Sequence, residues 1–220
     1  MKTLSPRAVT ILQWVLTLLM PFVLMLSSLY IFMSPQFIDW EYAQTDFPPA
    51  DRFTPEQRTF NAKETLLYVR GERSEQQLRD LNVYNAREIK HLVDVYNVTR
   101  PMLLLNPFLI LAMIAAFVLL WRNPATRRNA GTGLFFGGLF TFVLIAAVGL
   151  FAVVAFDSFF IAFHGIFFEG DTWLFNYSDS LIQFYPELFW MRASYGIALF
   201  VMFGAILFTA LGAWLMRRGK

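Results

Sequence analysis

The chain of 220 residues contains no cysteine and little charge, and both shortages exclude whole classes of chemistry. Without cysteine there is no disulfide framework, no thiolate nucleophile and no Cys-ligated zinc or iron–sulfur site. Charged residues make up 15% of the chain and hydrophobic residues 57%, a balance that soluble domains rarely show. Neither a Walker-type phosphate loop nor a GxGxxG loop occurs, so the sequence indicates neither nucleotide hydrolysis nor dinucleotide chemistry.

The apolar residues are concentrated in four stretches, each free of Asp, Glu, Lys, Arg and His and long enough to cross a hydrocarbon layer, which takes about 20 helical residues. They cover residues 9–33, 102–121, 133–156 and 194–216. The first is too long for the apolar region of a signal peptide, so we expect an uncleaved anchor. The sequence therefore predicts an all-α integral membrane protein, a single membrane domain with four transmembrane helices. Since no span contains a charge, a channel or pump is not indicated.

The segments between the spans divide the charge unequally. Residues 1–8, 122–132 and 217–220 contain basic residues and no acid, whereas all 16 acidic residues lie in segments 34–101 and 157–193. Basic residues concentrate on the cytoplasmic side of membrane proteins, so we expect both termini in the cytoplasm and the two long helical segments outside it. Because the basic residues are explained as topology signals, the sequence indicates no nucleic-acid partner.

Local patterns predict further detail in the spans and in the first outward segment. Gly133 and Gly137 form a GxxxG pattern, which suits close packing either inside the chain or between two copies. Thr54 and Gln57 fit a capping box at the start of a helix that begins at Pro55 and ends near Arg70, before Gly71. Asn85 and Glu88 fit a second cap, which opens a helix predicted to end near Val98.

The chain contains two histidines, and both lie in the outward segments. On a helical wheel, His91 is near 200° from Ile89, opposite the apolar stripe, and the segment by itself predicts a solvated surface histidine there. The alternative is a functional histidine oriented by a carboxylate, since Asp94 and Glu88 are each three residues away on the helix, with Arg87 four residues away.

The second histidine, His164, is the only ionisable residue between Ser158 and Phe168, a stretch rich in phenylalanine. Such aromatic density suits the membrane interface, and Trp173 with further aromatic residues continues it. Burial there would lower the pKa of a histidine and favour the neutral, basic form. The alternative is a histidine that is only hydrogen-bonded at the interface. As a group, the aromatic residues fit either interfacial anchors or the floor of a groove for acyl chains.

Two stretches of the chain resemble a known family. Residues 85–95, NAREIKHLVDV, resemble the R-E-I-x-H-x-x-D-V signature of the bacterial lipoprotein intramolecular transacylases. Residues 163–175, FHGIFFEGDTWLF, resemble a second signature of that family, and the four-span layout with two outward segments agrees with it. The chain departs from the family pattern at Leu92 and Tyr96, where Met and a basic residue are expected. These departures affect contacts more than chemistry.

The resemblance implies an acyltransferase of the bacterial cytoplasmic membrane. Such an enzyme moves the sn-2 acyl chain of a lipoprotein's diacylglyceryl group to the α-amine of its own N-terminal cysteine, giving lyso-form lipoprotein. The implied partners are the diacylglyceryl-modified lipoprotein and membrane lipid, and no cofactor or metal is implied. The implied catalytic residues are His91 and His164 on the extracytoplasmic side.

Within this reading we expect His91, steadied by Asp94 or Glu88, to act as the base and His164 as the proton donor. The reverse assignment stays open. Arg87 and Trp173 are expected to support them, and Arg87 could stabilise the oxyanion.

Two functions of other classes also stay open. A zinc hydrolase could use His91 and His164 with a carboxylate such as Asp94, Glu169 or Asp171, although no compact two-histidine spacing supports it. A non-catalytic membrane scaffold could use its outward helices to hold a partner.

Overall fold

The computed structural model describes residues 4–218, and within that range all regular structure is helical. A single 3₁₀ turn lies at Pro124–Thr126. The α-helices of the described residues are α1 (Pro6–Phe32), α2 (Pro35–Tyr42), α3 (Pro55–Val69), α4 (Glu75–Asp80), α5 (Ala86–Trp121), α6 (Arg127–Val154), α7 (Phe156–Phe167), α8 (Ser180–Phe184) and α9 (Glu187–Arg218).

Four of these helices are long and apolar enough to cross a membrane: α1, α5, α6 with the turn before it, and α9. This confirms the predicted all-α membrane fold with four transmembrane helices. The finer limits inside these helices, residues 9–33, 102–121, 133–156 and 194–216, stay predictions, as does the placement of segments 34–101 and 157–193 outside the cytoplasm.

One predicted helix end is wrong. The sequence predicts a helix that ends near Val98, but α5 continues without a break from Ala86 to Trp121, with Pro101 inside it. The change from polar to apolar residues in this stretch marks a change of surroundings and not the end of the helix. His91 therefore lies on the same continuous helix as the second predicted span.

The described residues form two compact units. The first, here called the span unit, comprises residues up to Leu29, Leu104–Leu150 and the residues from Ile197 onward. The second comprises Tyr30–Leu103 and Phe151–Gly196. It is called the histidine unit because it contains both histidines.

Glycines of α6 bring helices into backbone contact in the span unit. A Cβ atom added at Gly138 would lie 2.5 Å from the carbonyl oxygen of Ala205 on α9. The glycines of the GxxxG pattern face α1, because a Cβ at Gly133 would lie 2.9 Å from the Cβ of Leu16, and one at Gly137 would lie 2.9 Å from its carbonyl oxygen. The pattern thus serves packing inside the chain.

In the histidine unit, α3 is capped as the sequence predicts. Thr54 and Gln57 form both hydrogen bonds of the capping box. The helix ends at Val69, and Gly71 follows with a φ of +82°. A left-handed residue at this point ends a helix at little steric cost only when it is glycine.

One apolar core holds the histidine unit together, with residues from α2, α3, α4, α5, α8 and α9. Phe184 of α8 is fully buried in it. The Tyr42 hydroxyl donates to the carbonyl oxygen of Phe184 at 2.8 Å, which ties α8 to α2. Arg192 of α9 adds an ion pair to the buried Glu41 of α2, at 3.0 Å. The helices and loops that carry the two histidines are built on this core.

Candidate functional site

The two histidines lie side by side in the histidine unit. The ring centroids of His91 and His164 are 6.3 Å apart, and the ring planes differ by 23°. Only 7% of His91 and 9% of His164 is exposed. Two ionisable residues from distant parts of the sequence thus share one buried place, and this pair is the candidate site.

The expectation of a solvated His91 is wrong. Its ring is covered by Phe168 and Phe175, whose ring centroids lie 5.0 and 5.3 Å from the imidazole centroid. A helical wheel contains the residues of one helix only, so a face that a distant segment covers looks exposed on it. The covering segment is the loop after α7, which belongs to the second motif of the sequence.

His164 is held by its own helix and by aromatic rings. Its Nδ1 lies 2.8 Å from the carbonyl oxygen of Phe160, one turn earlier in α7. Because a carbonyl oxygen only accepts hydrogen bonds, Nδ1 is the donor and carries the proton, so Nε2 of the neutral ring holds the free lone pair. The ring centroids of Phe160 and Trp173 lie 4.1 and 4.6 Å from the imidazole centroid, which restricts the ring further.

The surroundings of His91 are different. Its Nδ1 is buried and has no hydrogen-bond partner among residues 4–218. Because Nδ1 is buried, Nε2 is the ring nitrogen of His91 that is available for a hydrogen bond to a substrate.

Burial lowers the pKa of both histidines. The pKa of His91, which precedes the predicted span of α5, falls to about 4, first because burial disfavours the charged ring and second because a charge on His164 would repel it. Burial also lowers the pKa of His164, opposed by the hydrogen bond to the Phe160 carbonyl. Both rings are therefore neutral at pH 7, as a general base must be before it takes a proton.

Neither predicted carboxylate orients His91 in the structure. Glu88 is almost fully buried, and its two oxygens accept hydrogen bonds from the backbone N–H groups of Asn85, at 2.8 Å, and Leu181, at 2.7 Å. N–H groups at helix starts lack partners within the helix and attract a carboxylate strongly. Asp94 does not bond to Nδ1 of His91, because that nitrogen has no hydrogen-bond partner among the described residues.

The other two supporting residues contact the site through aromatic rings. The Arg87 guanidinium lies over the ring of Phe175, 5.2 Å from its centroid, and Phe175 in turn packs against His91. Trp173 packs directly against His164. Sequence reasoning missed Phe168 and Phe175 as individual site residues. Both lie in the same sequence motif as His164, and this could have indicated that they belong to the site.

The described residues also bear on a metal site. Within residues 4–218, no group of three or more His, Asp or Glu side chains is arranged to hold a metal ion. The two histidines therefore lack a third protein ligand in that part of the chain, whereas catalytic zinc sites use three.

The fold and the site define an α-helical, multi-pass membrane protein with a buried pair of neutral histidines. The family model for the lipoprotein intramolecular transacylase Lit matches residues 13–190, and the chain belongs to this family. It is therefore a lipoprotein transacylase, an acyltransferase that works on lipoproteins in a membrane.

Individual relatives agree with this membership. An uncharacterized protein of Aquifex aeolicus (strain VF5) is 27% identical over 222 residues, which cover 96% of this chain and 98% of that protein. The in meso structure of the membrane integral lipoprotein intramolecular transacylase Lit from Bacillus cereus superposes with a TM-score of 0.82 at 20% identity, over 97% of this chain and 98% of that one. A variant of that protein with one histidine replaced by alanine gives a TM-score of 0.73 at 20% identity, over 96% and 95%. At such identities the structural likeness establishes the fold.

Proposed function

We propose that the chain transfers the sn-2 acyl chain of a lipoprotein's diacylglyceryl group to the α-amine of the lipoprotein's N-terminal cysteine. The product is the lyso form, with an N-acyl chain and a free sn-2 hydroxyl. The reaction takes place at the extracytoplasmic side of a bacterial cytoplasmic membrane, with both termini of the enzyme in the cytoplasm. The observation that carries the proposal is the pair of buried, neutral imidazoles 6.3 Å apart.

In the proposed mechanism, His164 is the base. Its Nδ1–H donates to the Phe160 carbonyl, so Nε2 is free to take the proton that the α-amine loses as it attacks the ester carbonyl carbon. The C–N bond forms, and the carbonyl oxygen becomes an oxyanion. When the tetrahedral intermediate collapses, the sn-2 C–O bond breaks and Nε2 returns the proton to the leaving glyceryl oxygen. No proton is gained or lost overall.

His91 is the donor to the oxyanion in this mechanism. A pKa near 4 makes its ring a poor base, but a neutral imidazole still donates through one N–H group. Because Nδ1 is enclosed, the donor in this mechanism is Nε2–H. This assigns the roles in the order opposite to our first expectation from the sequence, and the support for the reversal is the hydrogen bond that fixes the tautomer of His164.

The protein contributes mainly orientation. The amine and the ester belong to one molecule, and an α-amino group with a pKa near 8 is partly neutral without help. Holding two reacting groups in a productive geometry supplies on the order of 7–11 kcal/mol. A positioned base adds a factor of about 10² to 10⁴. Ester aminolysis is downhill, so the transfer requires no nucleotide.

Lipoprotein mass spectrometry tests the proposal. The chain is expressed in a host that does not N-acylate its lipoproteins, and N-terminal lipopeptides are analysed for the lyso form. We expect His164→Ala to lower the rate about 100-fold or more and His91→Ala to lower it to a smaller extent. Asn61→Ala, which truncates an equally buried polar residue of α3, is the control and should stay near the wild-type rate. Unchanged lyso-form production by both histidine variants would refute the proposal.

The same assay separates the alternatives. A zinc hydrolase would lose activity with a chelator, regain it with zinc, and release free fatty acid instead of an N-acylated product. A scaffold without catalytic function would give no lyso form with purified components. The proposed transacylase gives the lyso form in the presence of chelator and releases no fatty acid.

A further inference from the structure

Glu88 joins two helix starts that belong to different parts of the histidine unit. One carboxylate oxygen accepts from the N–H of Asn85 at the start of α5, and the other accepts from the N–H of Leu181 in the first turn of α8. The side chain is 1% exposed. A buried carboxylate that uses each oxygen for a different segment is a bridge between those segments.

Further hydrogen bonds join the same two segments. The Asn85 amide donates to the Asp179 carboxylate at 3.2 Å, and the Ser180 hydroxyl donates to the carbonyl oxygen of Val83. Residues 83–88 and 179–181 thus form one hydrogen-bonded junction, here called the clamp. Glu88 is its buried centre.

The clamp lies close in sequence to both histidines. His91 follows Glu88 by one helical turn. The loop that starts after α7 carries Trp173 and Phe175 and ends at the clamp, and these two rings pack against His164 and His91 respectively. The position of this loop relative to α5 therefore determines how the two imidazoles face one another.

The clamp is not what keeps α8 folded onto the unit. Phe184, at the other end of α8, is fully buried in the core, and its carbonyl oxygen accepts from the Tyr42 hydroxyl. Loss of the Glu88 bridge leaves that anchor in place. The expected result is a mobile loop on an intact fold.

We propose that Glu88 is a positioning residue for the transacylase site: its carboxylate fixes the loop that carries Trp173 and Phe175 to the start of α5, and this sets the geometry of the His91–His164 pair. The effect on catalysis rests on the proposed function above. The effect on the two rings does not, because their environment can be measured without substrate.

Glu88→Gln is the variant that tests the bridge. Glutamine has the same shape but keeps one acceptor oxygen, while its NH₂ group faces a backbone N–H that needs an acceptor. We expect kcat for lyso-form production to fall at least tenfold. Glu41→Gln is the matched control, because Glu41 is a fully buried carboxylate in the same unit that pairs with Arg192 instead. It should stay within about twofold of wild type.

Histidine NMR separates positioning from a general loss of structure. The chain contains two histidines, so ¹⁵N-histidine labelling gives two sets of ring signals, which His91→Ala and His164→Ala assign. We expect Glu88→Gln to shift or broaden the signals of both rings and Glu41→Gln to leave them in place. Unchanged ring signals in Glu88→Gln would overturn the proposal, whatever the outcome of the activity assay.

A covalent link supplies the rescue experiment. The chain has no cysteine, so Asn85→Cys and Asp179→Cys introduce the only thiols, at side chains that are hydrogen-bonded in the clamp. In this background, a short thiol crosslinker should restore most of the turnover that Glu88→Gln removes. Crosslinked protein that stays as slow as the uncrosslinked variant would show that Glu88 does not act by joining these segments.

Discussion

Acidification should destabilise this protein through His91. The unfolded state takes up a proton at the ordinary histidine pKa of 6.5, whereas in the folded state burial lowers the pKa of His91 to about 4. A histidine whose pKa is lower in the folded than in the unfolded state binds a proton more readily when the protein is unfolded. Protonation of such a histidine therefore favours unfolding. Stability from this residue is therefore fully present above pH 6.5 and is lost progressively as the pH falls from 6.5 to about 4.

The size of the loss follows from the two pKa values. Each unit of pKa difference corresponds to 1.36 kcal/mol, so the fall from 6.5 to about 4 is worth about 3 kcal/mol at pH 4. This is a large share of the 5–15 kcal/mol by which proteins are usually stable. It should be visible in an equilibrium or thermal unfolding experiment.

The measurement compares wild type with His91→Phe in the same detergent micelles between pH 7 and pH 4, followed by tryptophan fluorescence. Phenylalanine keeps an aromatic ring against Phe168 and Phe175 and cannot titrate. Carboxylates titrate in both proteins and cancel in the difference. The wild type should lose about 3 kcal/mol relative to His91→Phe over this range. Parallel curves for the two proteins would refute the reasoning, because they would mean that His91 titrates normally in the folded state.

Two further predictions each test one contact, the first in the histidine unit and the second in the span unit. Trp173→Ala should lower kcat for lyso-form production about tenfold, because the centroid of the indole lies 4.6 Å from that of the His164 ring. Trp173→Phe should keep most of the activity. Equal rates for both variants would contradict a role for the aromatic ring. Gly138→Leu should lower thermal stability by about 1–3 kcal/mol, the usual cost of overpacking, because its Cβ collides with the Ala205 carbonyl oxygen. Gly165→Ala, whose added Cβ meets no atom within 4 Å, is the stability control, and an equal loss in both glycine variants would contradict the packing argument.

The spans and the caps could be predicted from the sequence because each depends on neighbouring residues. Apolar runs identify α1, α5, α6 and α9 without any knowledge of their partners. The capping box of Thr54 and Gln57 closes within four residues. One of the two hydrogen bonds of Glu88, the one from the Asn85 N–H, was predictable for the same reason, because the two residues are three positions apart.

The site could be predicted only as a list of residues. Its pairing of His91 with His164 and the bond from Leu181 to Glu88 join residues more than 70 positions apart, and no local pattern contains such a contact. The burial of His91 has the same origin, because its cover comes from Phe168 and Phe175. The sequence places Phe160 one helical turn before His164, so a hydrogen bond from the ring to the Phe160 carbonyl oxygen could have been considered. Only the structure shows that the ring is oriented toward this oxygen, and this orientation fixes the tautomer.

The chemistry explains why aromatic rings, and not carboxylates, orient these imidazoles. A carboxylate hydrogen-bonded to His91 or His164 would raise the pKa of its partner and favour the imidazolium, which cannot accept the proton of an attacking amine. Phe168, Phe175 and Trp173 restrict the rings by contact and add no charge, so both stay neutral at pH 7. Glu88, a carboxylate one helical turn before His91, is instead engaged by two backbone N–H groups. Its oxygens accept hydrogen bonds there, and in the proposed mechanism it contributes by holding the site together without changing the proton affinity that the site requires.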